Sequence, residues 1–136
     1  MKEFPVRKLT RLLQIGKVGV GGNQPISVQS MTTTKTADAA ATIEQIRQLA
    51  TAGCEIVRVA IPDMAAARAV STIKESAAIP VVADIHFDYR LALAAICAGA
   101  DKIRINPGNT EKSHLKEVTD AAKAHHIPIR VGINAG

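Results

Sequence analysis

Two segments, Leu49–Val59 (LATAGCEIVRV) and Ala95–Ile105 (AICAGADKIRI), align on each other without a gap, and that match decides the fold. Each begins as the end of an alanine-rich helix, stops at a glycine (Gly53 or Gly99), and runs into a β-branched strand with an arginine near its centre (Arg58 or Arg104). A second pair, Ile79–His86 (IPVVADIH) and Ile127–Asn134 (IPIRVGIN), sets Pro80 on Pro128 and His86 on Asn134. The offsets of 46 and 48 residues each span two strand–helix units. Repetition in steps of two suits a barrel whose alternate strands fill alternate interior layers. An open doubly wound sheet is the alternative, but no G-x-G-x-x-G follows the first strand.

Outward from the repeat, five short strand-like runs recur: Pro25–Ser30, Glu55–Ala60, Pro80–Ile85, Lys102–Asn106 and Pro128–Asn134. A helical stretch follows each of the first four. Asp38 caps a helix with Ile43, Ile46 and Ala50 on one face, and Gly53 ends it. Asp63 opens a second with Val70, Ile73 and Ala77 in a stripe; Asp88 opens a third that ends at Gly99. Asn109 or Thr110 opens a fourth, with Leu115, Val118 and Ala122 facing inward and His125 and His126 at its end. Strands alternating with helices of this length imply βαβ units and a parallel sheet. Ahead of them, Arg11–Gly16 and Val18–Gly22 read as a hairpin. The expected fold is therefore α/β: a partial (β/α)8 TIM-type barrel of five parallel strands and four helices with an N-terminal hairpin. The expected division is 1–24, basic segment and hairpin, and 25–136, first half of the barrel.

Composition agrees with such layers. Apolar residues make up 47% of the chain and aromatic residues 2%, so the core has to be aliphatic. The formal charge of +5 is concentrated at the start, where residues 1–17 hold five basic residues and one acidic. A basic segment without aromatic stacking platforms argues against nucleic acid as the main partner. Cys54 and Cys97 stand 43 residues apart with no C-x-x-C or nearby histidine pattern, which indicates neither a disulfide framework nor a zinc site. The apolar run Leu12–Ile15 is too short for a signal segment or membrane span, so a cytoplasmic protein is expected.

Polar residues inside strands covered on both faces are the informative exceptions. Alternation points Arg104 and Asn106 the same way, likewise Asp84 and His86, and likewise Arg130, Gly132 and Asn134. Arg58 takes the Arg104 position through the repeat. Directed inward, these side chains crowd the C-terminal mouth, where active sites of such barrels lie. Three arginines against one evident acid, Asp84, call for an anionic ligand, and the guanidinium fork suits phosphate oxygens. Asn106 and Asn134 add neutral donors, His86 a donor or proton, and Gly108 in the NPGN loop a close backbone approach. Gln29 on the first strand joins the candidate set, and Met31–Thr34 (MTTT) reads as a polar loop that leads into the first helix.

Five blocks, Val28–Thr34 (VQSMTTT), Gly53–Ala60 (GCEIVRVA), Ala83–Phe87 (ADIHF), Asp101–Asn109 (DKIRINPGN) and Ile129–Gly136 (IRVGINAG), together resemble the 4-hydroxy-3-methylbut-2-enyl diphosphate synthase family. The resemblance runs from Gly21 onward, with the blocks in the family's order and spacing. It implies reductive opening of 2-C-methyl-D-erythritol 2,4-cyclodiphosphate, with two electrons passed from flavodoxin or ferredoxin through a [4Fe–4S] cluster. It further implies a homodimer in which a separate cluster domain closes over the other subunit's barrel. On this match Arg58, Arg104 and Arg130 grip the diphosphate, and Asn106, Asn134 and His86 orient it. The family's three cluster cysteines and its carboxylate ligand have no counterparts here; Cys54 and Cys97 match none of them. A whole (β/α)8 barrel takes roughly 250 residues, so the expectation is an N-terminal fragment that lacks activity alone and self-associates. Another phosphate-binding barrel enzyme, such as a dihydropteroate-synthase-like transferase, and a non-catalytic ligand-binding module are the competing readings.

Overall fold

A computed structural model describes residues 6–133. A two-stranded antiparallel hairpin, β1 (Leu13–Ile15) and β2 (Val18–Val20), precedes one sheet of five parallel strands. These are β3 (Gln29–Met31), β4 (Ile56–Ile61), β5 (Val81–Ile85), β6 (Lys102–Ile105) and β7 (Ile129–Val131), hydrogen-bonded in sequence order. Four helices cross between them: α1 (Ala39–Thr51), α2 (Met64–Ser76), α3 (Tyr89–Cys97) and α4 (Lys112–Ala124). A doubly wound sheet reverses its order at a switch point. This sheet does not reverse, so the barrel reading holds and the open-sheet alternative falls.

The helices start where short carboxylates can satisfy free N–H groups. Asp38 accepts from Ala41 N at 3.1 Å, Asp63 from Ala66 N at 2.8 Å and Asp88 from Arg90 N at 2.9 Å. The Arg90 side chain, and then its backbone N–H, hold the Asp88 carboxyl below its ordinary pKa. The fourth helix departs from expectation. Asn106 caps a 3-10 turn over Pro107–Asn109, because the proline fixes φ at the first position, and α4 begins only at Lys112 behind Glu111. Four of the five parallel strands also run shorter than their β-branched runs, the first covering only Gln29–Met31, while β4 keeps six residues shifted by one, at Ile56–Ile61.

Alternation divides the sheet cleanly. Val57, Val59, Ile61, Val81, Ala83, Ile103 and Ile105 point outward and form one core with Ile46, Val70, Ile73, Ala95, Ile96 and Val118 of the helices. The other face is the barrel interior. At its N-terminal end, Ile15 of the hairpin packs on Ile56 and Val82, all three at most 2% exposed. The interior beyond that small plug is polar.

Candidate active site

Register assembles the site. Ala60, Asp84, Arg104 and Arg130 occupy one row across β4, β5, β6 and β7. The row beneath, nearer the N-terminal strand ends, holds Met31, Arg58, Val82 and Lys102. Residues opposite one another in a ladder face the same side, so all four cations share the interior face.

Asp84 is the hub of this face. Its side chain is 1% exposed and receives Arg58 Nε at 3.0 Å and Arg58 Nη2 on Oδ2, with Arg104 Nη1 at 3.4 Å from Oδ1. His86 Nε2 lies 3.6 Å from Oδ2, beyond direct hydrogen-bond length. The carboxylate therefore fixes two guanidinium groups drawn from the strands on either side of it. Removing one partner of such a buried pair costs about 3–5 kcal/mol, because the other is left uncompensated. Arg130 is different: it is exposed, and its side chain makes no hydrogen bond or ion pair among the described residues.

Arg104 is locked from a second side. Its Nη2 lies 3.4 Å from the Gly132 carbonyl, and a Cβ on Gly132 would stand 2.5 Å from Arg104 Nε. Only a residue without a side chain leaves that channel open.

The two loops at the strand ends brace each other. Asn106 Oδ1 accepts from Gly108 N at 3.1 Å, so its carbonyl serves the NPGN turn and its amide nitrogen stays available for a ligand. Asn109 Nδ2 donates to His86 O at 3.2 Å and ties the β6 loop to the β5 loop. The Thr32–Thr36 loop is held from behind. Gln45 Oε1 accepts from Thr33 N at 2.9 Å and Thr34 N at 3.3 Å, while its Nε2 donates to Thr33 Oγ1 at 2.9 Å. Gln29 sits in the row of Ile56, one step below Arg58, and is exposed; the register does not bring it to Asp84. Asn134 lies outside the described residues.

Sequence reasoning passed over Lys102. It shares its face with Arg104 by the same alternation that selected Asn106, and that two-residue spacing was the available signal. Burial, then the like charges of Arg130 and Arg58, push its ammonium below the ordinary lysine pKa.

A family model described as the GcpE TIM-barrel domain matches residues 10–136. The chain belongs to the GcpE TIM-barrel family. Among curated relatives, "4-hydroxy-3-methylbut-2-en-1-yl diphosphate synthase (flavodoxin)" of Listeria monocytogenes is 57% identical over the whole GcpE chain, which spans 37% of that relative. The enzyme of the same name from Halalkalibacterium halodurans is also 57% identical, again over all of this chain and 37% of the relative. Among solved structures, 7,8-dihydropteroate synthase from Vibrio fischeri superposes with a TM-score of 0.66 over 93% of this chain and 52% of its own, at 13% identity. That likeness is one of fold alone. Both of these relatives are named as enzymes, and among the described residues of this chain no helix is long and apolar enough to cross a membrane.

Proposed function

We propose that the chain is the N-terminal, substrate-binding part of a cytoplasmic enzyme that reductively opens 2-C-methyl-D-erythritol 2,4-cyclodiphosphate to 4-hydroxy-3-methylbut-2-enyl diphosphate in isoprenoid synthesis. The observation that carries it is the interior face, where four cations share one side of the sheet with a single carboxylate that already serves two of them. An uncompensated cluster of that kind in a half-covered cleft is costly unless an anion arrives. A diphosphate supplies several oxygens at the spacing of adjacent strands.

In this reading Asp84 fixes the forks of Arg58 and Arg104, so that ligand binding spends little side-chain entropy on ordering them. Arg130, exposed beside Arg104, closes on the outer phosphoryl oxygens. His86 and the Asn106 amide orient the ring end of the substrate, and Asn134 is assigned by the family motif. The described residues hold no group of three or more His, Cys, Asp or Glu able to bind a metal ion. Cys54 is buried with its Sγ 3.0 Å from Ile56 O, while Cys97 is exposed. A [4Fe–4S] cluster does not fit these residues, and what the chain itself supplies is binding and orientation. The relatives' name supports flavodoxin as electron donor, with ferredoxin the other candidate; a homodimer belongs to the same proposal.

The test uses the full-length enzyme. Arg104→Ala should weaken cyclodiphosphate binding by about 1.5–3 kcal/mol, the scale of charge-assisted hydrogen bonds. Lysine should restore only part, as a point charge without the fork. Calorimetry with a pterin diphosphate in parallel separates the transferase reading. Unchanged cyclodiphosphate affinity in both variants, or tight binding of the pterin ligand, would overturn the proposal.

A further inference from the structure

The interior face holds one cation that the proposed diphosphate grip does not use. Lys102 lies in the row of Arg58 and Val82, one step below Asp84, Arg104 and Arg130. It is half-buried, and its ammonium makes no hydrogen bond or ion pair among the described residues. The groups around it are of its own sign. Arg58 on β4 and Arg130 on β7 repel it, and Arg104 stands two residues on along the same strand face. Among the described residues, the one acid in these strand rows, Asp84, is engaged by Arg58 and Arg104.

Burial and like-charged neighbours make this an unfavourable place for a lysine ammonium. Two other lysines show what a paired lysine looks like: Lys74 reaches Asp101 at 2.5 Å, and Lys116 reaches Asp120 at 2.6 Å. Lys102 has no such carboxylate among the described residues, yet its neighbour in the row, Val82, sits in an apolar plug where an aliphatic side chain would pack well. Its four-carbon stem lets the ammonium lean from its own row toward the Arg104–Arg130 row, two residues further along the strands.

We propose that Lys102 is a further ligand-binding residue of this site: its ammonium closes the floor of the pocket and holds an oxygen of the innermost phosphoryl group that Arg58, Arg104 and Arg130 admit. The inference rests on the diphosphate reading and adds a contact at a depth that the strand-end arginines leave unserved. A point charge on a flexible stem suits that place, since a phosphoryl oxygen entering from above can be met from several angles.

The experiment measures affinity for inorganic pyrophosphate and for the cyclodiphosphate in the full-length enzyme, beside thermal stability. Lys102→Met should weaken both ligands about tenfold or more while Tm stays level or rises, because a repelled, desolvated cation has gone. A structural lysine would move the two the other way, with lower Tm and intact affinity. Lys102→Arg should keep most of the affinity and lessen its decline on the alkaline side, because burial and the neighbouring arginines let the lysine lose its proton more readily while an arginine keeps its charge. If the parent enzyme binds both ligands and Lys102→Met binds them equally well, the inference falls and the diphosphate site stands. If the parent binds neither ligand, the diphosphate reading itself falls. Should the methionine variant not fold, Lys102→Arg decides, since an alkaline decline identical to the parent's also overturns the assignment.

Discussion

At the residue scale, Gly132 shapes the candidate site through the space it leaves for Arg104. Its backbone needs no special φ; what it supplies is absence, because a Cβ would come within 3.1 Å of three atoms of the Arg104 guanidinium, Nε, Nη2 and Cζ. That guanidinium is also held by Asp84, so it cannot swing aside freely. Gly132→Ala should therefore displace Arg104 and weaken pyrophosphate binding about tenfold or more, the loss of one charge-assisted hydrogen bond. Stability should change much less than for loss of the Arg104 side chain; calorimetry and urea denaturation of the same variant check both halves. Most of the site was legible here, since Arg58, Asp84, Arg104 and Arg130 follow from strand alternation and the repeat. Their bonding was not, because sequence shows which face a side chain takes but not that Asp84 lies between Arg58 and Arg104 on neighbouring strands. Lys102 escaped for a different reason: a lysine at a strand start reads as a solvent-facing end until the register shows Val82 beside it.

Among elements, the repeat is visible in the helix ends. Gly53 and Gly99 follow α1 and α3 with φ of +103° and +100°, the left-handed region that closes a helix cheaply only for glycine. A Cβ at either would meet nothing within 4 Å, so the backbone alone decides a substitution there. Gly53→Ala and Gly99→Ala should each cost about 1–2 kcal/mol, equal within error, with ligand affinity unchanged. Denaturant melts of the two variants read this directly; a much larger loss in one would mean that a contact had been missed. After α4 the same turn is made by His126, at φ +55°, where glycine would have been the simplest signal. The caps of α1, α2 and α3 were readable because aspartate precedes each apolar stripe. The start of α4 was not: the 3-10 turn at Pro107–Asn109 absorbs the asparagine that looked like its cap, and Glu111 makes no side-chain cap bond.

The whole molecule sets its polar chemistry and its apolar closure at opposite ends of one interior. At the C-terminal strand ends the face carries charge; at the N-terminal ends it is sealed by a hairpin that enters the interior through one buried side chain. Alternating strands and helices made the layers legible, and the aliphatic composition made the outer core legible. The plug was not, because Leu12–Ile15 offers three apolar residues, Leu12, Leu13 and Ile15, and the sequence does not say which one turns in. The structure selects Ile15, at 2% exposure, while Leu12 and Leu13 stay 47% and 39% exposed. A two-stranded hairpin is marginal by itself, so its docking rests on Ile15 with the partly buried Val18 and Val20 beside it. Ile15→Ala should then cost about 2–5 kcal/mol, the transfer term of the lost atoms plus the cavity left against Ile56 and Val82. Leu13→Ala, in the same strand but half in water, should cost less than a third of that. Affinity for pyrophosphate should survive in both, since Asp84, Arg104 and Arg130 stand two register steps along their strands from the row of Ile56. Equal stability losses for Ile15→Ala and Leu13→Ala would show that the hairpin lies on the barrel rather than in it, and the sealed end would have to be sought elsewhere.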